Sequence, residues 1–235
     1  MARAIQRRGY GRLEFFELPS DRDAVTVVLL HGYGANGADL VPLAAELPCR
    51  LARPRWLFPE APETLASAPG AASRAWFPID EESLLRVRTT GTPMGFAGED
   101  PPELRKSAEA LAEALADAGA APGRTVLGGF SQGAVVALET AFLFTTPPAG
   151  LALLSGNLVA EDRWRRLAPR LAGVPFFQSH GRADPLLGFE GARSLEVVLR
   201  EAGLKGSLMP FDGGHCIPAE VVLALAQFLD GLKSG

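Results

Sequence analysis

Short runs of Val, Leu and Phe recur along the chain at 24–30, 56–58, 125–127, 151–154, 175–178 and 207–211. Runs of this length without polar alternation suit strands buried on both faces of a sheet. Between several of them the apolar residues switch to a helical spacing. Strands alternating with amphipathic helices imply an α/β fold with a mostly parallel central sheet flanked by helices.

The clearest helix is expected to begin at Asp100 as N-cap, with Pro101 in its first position and Glu103 completing a capping box. Leu104, Ala108, Leu111 and Leu115 then share one face, and Gly119 offers a stop. Two further helices fit 190–202, ending at Gly203, and 219–232, where Val221, Val222, Leu225, Phe228, Leu229 and Leu232 line one side. Residues 13–18 read as an antiparallel edge strand leading through Ser20 and Asp21 into the sheet. From 60 to 99 no regular element is expected, because Pro62, Pro69, Gly70, Pro78, Gly91, Pro93, Gly95 and Gly98 punctuate the stretch. A loop that long inside a compact domain is commonly functional, so it is a candidate pocket wall near the active site. No repeat or linker divides the 235 residues, and a single domain is expected.

Apolar residues make up 47% and charged residues 21%, as in a folded globular protein. The net charge of −4 gives no electrostatic reason to bind nucleic acid. The arginine clusters at 3, 7, 8 and 12 and at 163, 165 and 166 read as solvated faces rather than lipid-binding patches. Cys49 and Cys216 are too few for a disulfide framework and are expected to be free, with Cys216 a packing residue. No run has the length of a membrane span or signal peptide, so no stable membrane insertion and a cytoplasmic location are expected. The oligomeric state stays open, a homodimer included.

Gly129-Phe130-Ser131-Gln132-Gly133 matches G-x-S-x-G directly after an expected strand and before a helical segment. Such a turn exposes a serine on strained backbone, and the flanking glycines relieve the crowding. A serine hydroxyl is a weak nucleophile and needs a base, which in turn needs a partner fixing its tautomer. In α/β-hydrolases the chain order is Ser, acid, His. His215, in the glycine-rich segment Asp212-Gly213-Gly214-His215, is the better base; His180 ends a strand and reads as structural. Asp184 fills the acid's place, ahead of Asp162, which heads a helical segment, and Asp212, which is expected to cap its turn. The N–H groups of Gln132 and of Tyr33, in the turn His31-Gly32-Tyr33-Gly34, are the candidate oxyanion donors.

These residues resemble the phospholipase/carboxylesterase group of α/β-hydrolases, which includes bacterial carboxylesterases and acyl-protein thioesterases. The resemblance rests on the segment from Leu30 to Gly37, Trp76-Phe77, the segment from Gly129 to Gly133, His180-Gly181 with Asp184, and Gly214-His215. It implies an α/β-hydrolase fold and hydrolysis of carboxylic esters or thioesters without metal or cofactor. It also implies Ser131, Asp184 and His215 as the catalytic three and Tyr33 and Gln132 as the oxyanion hole. Two departures stand out. Gly133-Ala134-Val135 is bulkier than the Gly-Gly-Ala that often continues the motif, and 81–100 matches nothing residue by residue.

The leading expectation is an esterase for small-molecule substrates with short to medium acyl chains. The alternatives are action on lipidated protein thioesters or lysophospholipids, and a catalytically silent binding protein on the same fold. Tyr33, Trp76, Phe77, Met94 and Phe96 are expected to wall an apolar acyl pocket, against a reading in which Trp76 and Phe77 anchor the long loop to the core.

Overall fold

The computed structural model describes residues 4–20, 25–47, 54–65 and 73–232. Arg3, Asp21, Cys49, Pro69 and Gly70 lie outside the described residues. The strands are β1 (Gln6–Tyr10), β2 (Leu13–Leu18), β3 (Thr26–Leu30), β4 (Arg55–Pro59), β5 (Glu63–Thr64), β6 (Arg74–Ala75), β7 (Thr125–Phe130), β8 (Gly150–Leu154), β9 (Pro175–Gly181) and β10 (Lys205–Phe211). The helices are α1 (Val41–Glu46), α2 (Glu81–Thr90), α3 (Pro102–Asp117), α4 (Gln132–Leu143), α5 (Glu161–Leu167), α6 (Phe189–Glu201) and α7 (Ala219–Gly231). Eight strands form one sheet in the order β1-β2-β4-β3-β7-β8-β9-β10, and β5 and β6 form a separate two-stranded ribbon. β2 pairs antiparallel with β1 and β4; all other pairings in the large sheet are parallel.

Alternation along the central strands divides the core in two. Val28 and Leu30 of β3, with Leu127 of β7, pack into a layer with α3, α4 and α6, whereas Val27, Leu29 and Val126 meet α1 and α7 on the other face. Covered on both faces, these strands carry no polar alternation. α4 is buried from Gln132 to Phe142, as expected of a helix that is apolar all round. No helix among the described residues is long and apolar enough to cross a membrane.

Several expectations are corrected. Residues 13–18 form a strand, but not the edge; β1 pairs outside it, fastened by Arg55, which donates to Glu17 and to the Tyr10 hydroxyl. The stretch from 60 to 99 holds α2, capped by the Asp80 carboxylate on the Ser83 N–H and ended by Gly91 in the left-handed region. α3 starts one residue later than expected, with Pro101 as N-cap, because the Asp100 carboxylate is engaged by Arg163. Arg163 is not solvated; its side chain is 12% exposed and lies between Asp100 and Glu139. Asp212 faces solvent 3.6 Å from Arg182 rather than capping a turn. Cys216 is free but exposed, not a buried packing residue.

Candidate active site

Parallel strands release their following loops at one end of the sheet, and the candidate residues meet there. Ser131 sits between β7 and α4 at φ 55°, ψ −122°, a conformation that costs a non-glycine residue about 1–3 kcal/mol. Its own N–H donates to Leu154 O of β8 at 2.8 Å, and its carbonyl accepts from Ala134 N–H at 3.0 Å. The turn leaves no room beside it. A Cβ at Gly129 would lie 2.6 Å from Gly133 O, and one at Gly133 would lie 2.6 Å from His31 O. The bulkier Ala134 is accommodated across the helix: a Cβ at Gly156 would stand 2.8 Å from the Ala134 methyl.

Asp184 and His215 are brought together by two loops stitched backbone to backbone. Arg182 N–H donates to Phe211 O and Ala183 N–H to Gly213 O, so the segment after β9 carries the one after β10. His215 Nδ1 then lies 2.6 Å from Asp184 Oδ2, and its ring packs 4.7 Å from Phe130. The buried carboxylate is crowded with donors: Leu186 and Leu187 N–H reach Oδ1 at 2.8 and 2.9 Å, and His180 Nε2 lies 3.2 Å from Oδ2. Burial opposes the charge on Asp184, but the hydrogen bonds from His180, His215 and Leu187 and the nearby imidazole charge outweigh it. The carboxyl is held well below its ordinary range. His180 is fully buried, with Nε2 2.7 Å from Leu187 O, and Asp162 stands exposed in the first turn of α5, away from this cluster.

Tyr33 lies in the turn after β3, between Gly32, whose carbonyl accepts from Ala35, and Gly34, whose N–H donates to Arg74 O. A Cβ at Gly32 would touch the Ser131 Cβ at 3.3 Å, so this turn abuts the serine. Gln132 opens α4, and its N–H is among those a helix leaves without an internal acceptor. Its side-chain amide accepts from Trp76 N–H at 2.8 Å and donates to Phe77 O at 2.7 Å.

Ser131, Gln132, Tyr33 and His215 line one apolar cavity of about 170 Å³ with Phe77, Met94 and Phe96. Trp76 does not line it. Its indole is buried and donates to His31 O at 2.9 Å, which corrects the expectation of a pocket wall and makes Trp76 an anchor beneath the turn that carries Tyr33. Val135, Val159, Leu186 and Leu187 also line the cavity and were not expected from the sequence. The adjacent Leu186-Leu187 pair, apolar and placed in a loop, was the available signal. Among the described residues no cluster of His, Cys, Asp or Glu is placed to hold a metal ion.

The chain is similar to known proteins along most of its length. The model of the phospholipase/carboxylesterase family matches residues 13–233. An acyl-protein thioesterase 1 from Yarrowia lipolytica is 33% identical over 188 residues, 77% of this chain and 78% of that protein. A probable carboxylesterase from Oryza sativa subsp. japonica is 28% identical, over 88% of this chain and 77% of its own length. Among solved structures, esterase PE8 superposes with a TM-score of 0.75 at 28% identity, covering 92% of this chain and 97% of that one. With the family model spanning nearly all of the described sheet and the serine, aspartate and histidine segments, the chain belongs to the phospholipase/carboxylesterase family of α/β-hydrolases.

Proposed function

We propose that this protein is a serine carboxylesterase that hydrolyses esters of short to medium acyl chains through an acyl-enzyme. The observation that carries the reading is the 2.6 Å contact between His215 and Asp184 beside an apolar cavity that also exposes a serine on strained backbone. With Nδ1–H donated to Asp184, the other imidazole nitrogen is free to accept the Ser131 proton. The Ser131 oxygen attacks the ester carbonyl carbon, and the resulting oxyanion is met by the N–H groups of Tyr33 and Gln132. The carbon–oxygen bond to the alcohol breaks, and the alcohol leaves with the proton held on His215. Water repeats the sequence on the acyl-serine, giving its proton to His215 and releasing the acid as Ser131 is reprotonated. Two N–H donors each contribute on the order of 100-fold or more in rate in sites of this type.

The acyl chain is assigned to the cavity walled by Phe77, Met94, Phe96, Val159 and Leu187. Each methylene moved into such a wall gains about 0.8 kcal/mol until the space is filled. A panel of esters of increasing acyl length should therefore show kcat/KM rising about fourfold per carbon and breaking at a medium chain. The resemblance to an acyl-protein thioesterase favours a second reading, action on long-chain thioesters. A monotonic rise out to a palmitoyl thioester or a lysophospholipid in the same panel would establish that reading in place of the first.

A further inference from the structure

The segment from 94 to 100 supplies two walls of the cavity and is tied down along its length. Met94 N–H donates to Leu186 O at 2.8 Å, and Met94 and Phe96 form parallel bridges to Leu187 and Val159. Glu161 N–H donates to Ala97 O and Ala160 N–H to Glu99 O, both at 2.8 Å. The last tie is ionic. Arg163 Nε donates to both Asp100 carboxylate oxygens, at 3.0 and 3.1 Å, while its other end donates to Glu139. Glu139 is 2% exposed on α4, the helix that follows Ser131, and its second oxygen accepts from the Trp164 indole N–H at 2.7 Å.

A buried glutamate on the nucleophile helix is an expensive place for a charge unless it is compensated, and a planar guanidinium bridging two carboxylates is a rigid connector. The cation therefore fixes the distance between α4, which follows the serine directly, and the 94–100 segment, which carries Met94 and Phe96. Neither Asp100, Arg163 nor Glu139 lines the cavity. We propose that the Asp100–Arg163–Glu139 clasp is a positioning device that holds Met94 and Phe96 against the cavity and so sets the longest acyl chain the enzyme accepts. This rests on reading the cavity as the acyl site.

The test uses the full chain and p-nitrophenyl esters of increasing acyl length. Asp100→Ala releases the half-exposed end of the clasp and leaves Glu139 paired with Arg163. Arg163→Lys keeps a cation near Glu139 and removes the two-point grip on Asp100. Acetate, too short to reach the far wall, should be turned over by both variants within about twofold of wild type. Beyond the wild-type break, kcat/KM of the variants should keep climbing by up to about fourfold per added methylene, with the gain carried by KM. A wild-type break that stays at the same chain length in both folded variants overturns the clasp proposal. A wild type with no break at any length overturns the acyl-site reading and the clasp with it, and is distinguished because the wild type alone shows it.

Discussion

At Asp184 a single carboxylate oxygen faces two imidazoles, His215 at 2.6 Å and His180 at 3.2 Å, while the other oxygen is held by two backbone N–H groups. The carboxylate therefore orients His215 from a fixed position. In Asp184→Asn an amide N–H₂ facing Nδ1 would favour the opposite tautomer, leaving Nε2 protonated and unable to accept the serine proton. Turnover should fall on the order of 10,000-fold, as when the orienting aspartate of an unrelated triad is replaced. The exposed Asp162→Asn should leave turnover within about twofold of wild type; steady-state kinetics with matched circular dichroism spectra check both. Reversed effects would move the acid to the first turn of α5. Chain order singled out Asp184 and His215, which the structure brings to 2.6 Å, and Ser131, which lines the same cavity as His215. The role of Trp76 was not, because one indole can wall a cavity or anchor a turn, and only the contact to His31 O separates the two.

Elements were legible where apolar residues kept a period and obscure where polar contacts decided them. α2 has only Val87 buried among its described side chains, so no stripe announces it, and its caps Asp80 and Gly91 were the remaining signal. β1 is an edge strand with polar residues and shows no apolar run. The start of α4 carries a compensation that sequence spacing alone does not reveal. Gly156 makes room for Ala134, so Gly156→Ala should lower unfolding free energy by about 1–3 kcal/mol, and adding Ala134→Gly should recover most of it. Equal losses in the single and double variants, measured by urea unfolding, would contradict the coupling. At the end of β3, burial lowers the pKa of His31, whose Nε2 accepts from Ala61 N–H and whose Nδ1 lies 2.8 Å from Gly32 O. Between that lowered value and the unfolded value near 6.5, the unfolded chain binds more protons, so stability rises with pH across the window and is lost as pH falls through it. Wild type should lose more stability than His31→Gln between pH 7.5 and 5.5, by at most about 1.4 kcal/mol per pH unit; parallel losses would remove His31 as the cause.

On the scale of the molecule, a sheet covered on both faces leaves its strand ends as the place where loops can converge, and the parallel strands β3, β7, β8, β9 and β10 deliver theirs to one end. The parallel architecture followed from the alternation of apolar runs and helical segments. The strand order did not, since pairing across the sheet depends on three-dimensional packing that periodicity does not encode. Nor did the bridging of two loops by the 94–100 segment, which is made by backbone groups common to every residue. The proposed chemistry depends on one atom, the Ser131 hydroxyl, being a nucleophile at that convergence. Treatment of wild type and Ser131→Ala with a fluorophosphonate probe, followed by mass spectrometry and ester turnover, measures this directly. A nucleophilic Ser131 should give one covalent adduct in wild type, no adduct in the variant, and a loss of turnover on the order of a million-fold with the fold unchanged. Labelling of the variant at another residue, or turnover within tenfold of wild type, would contradict it.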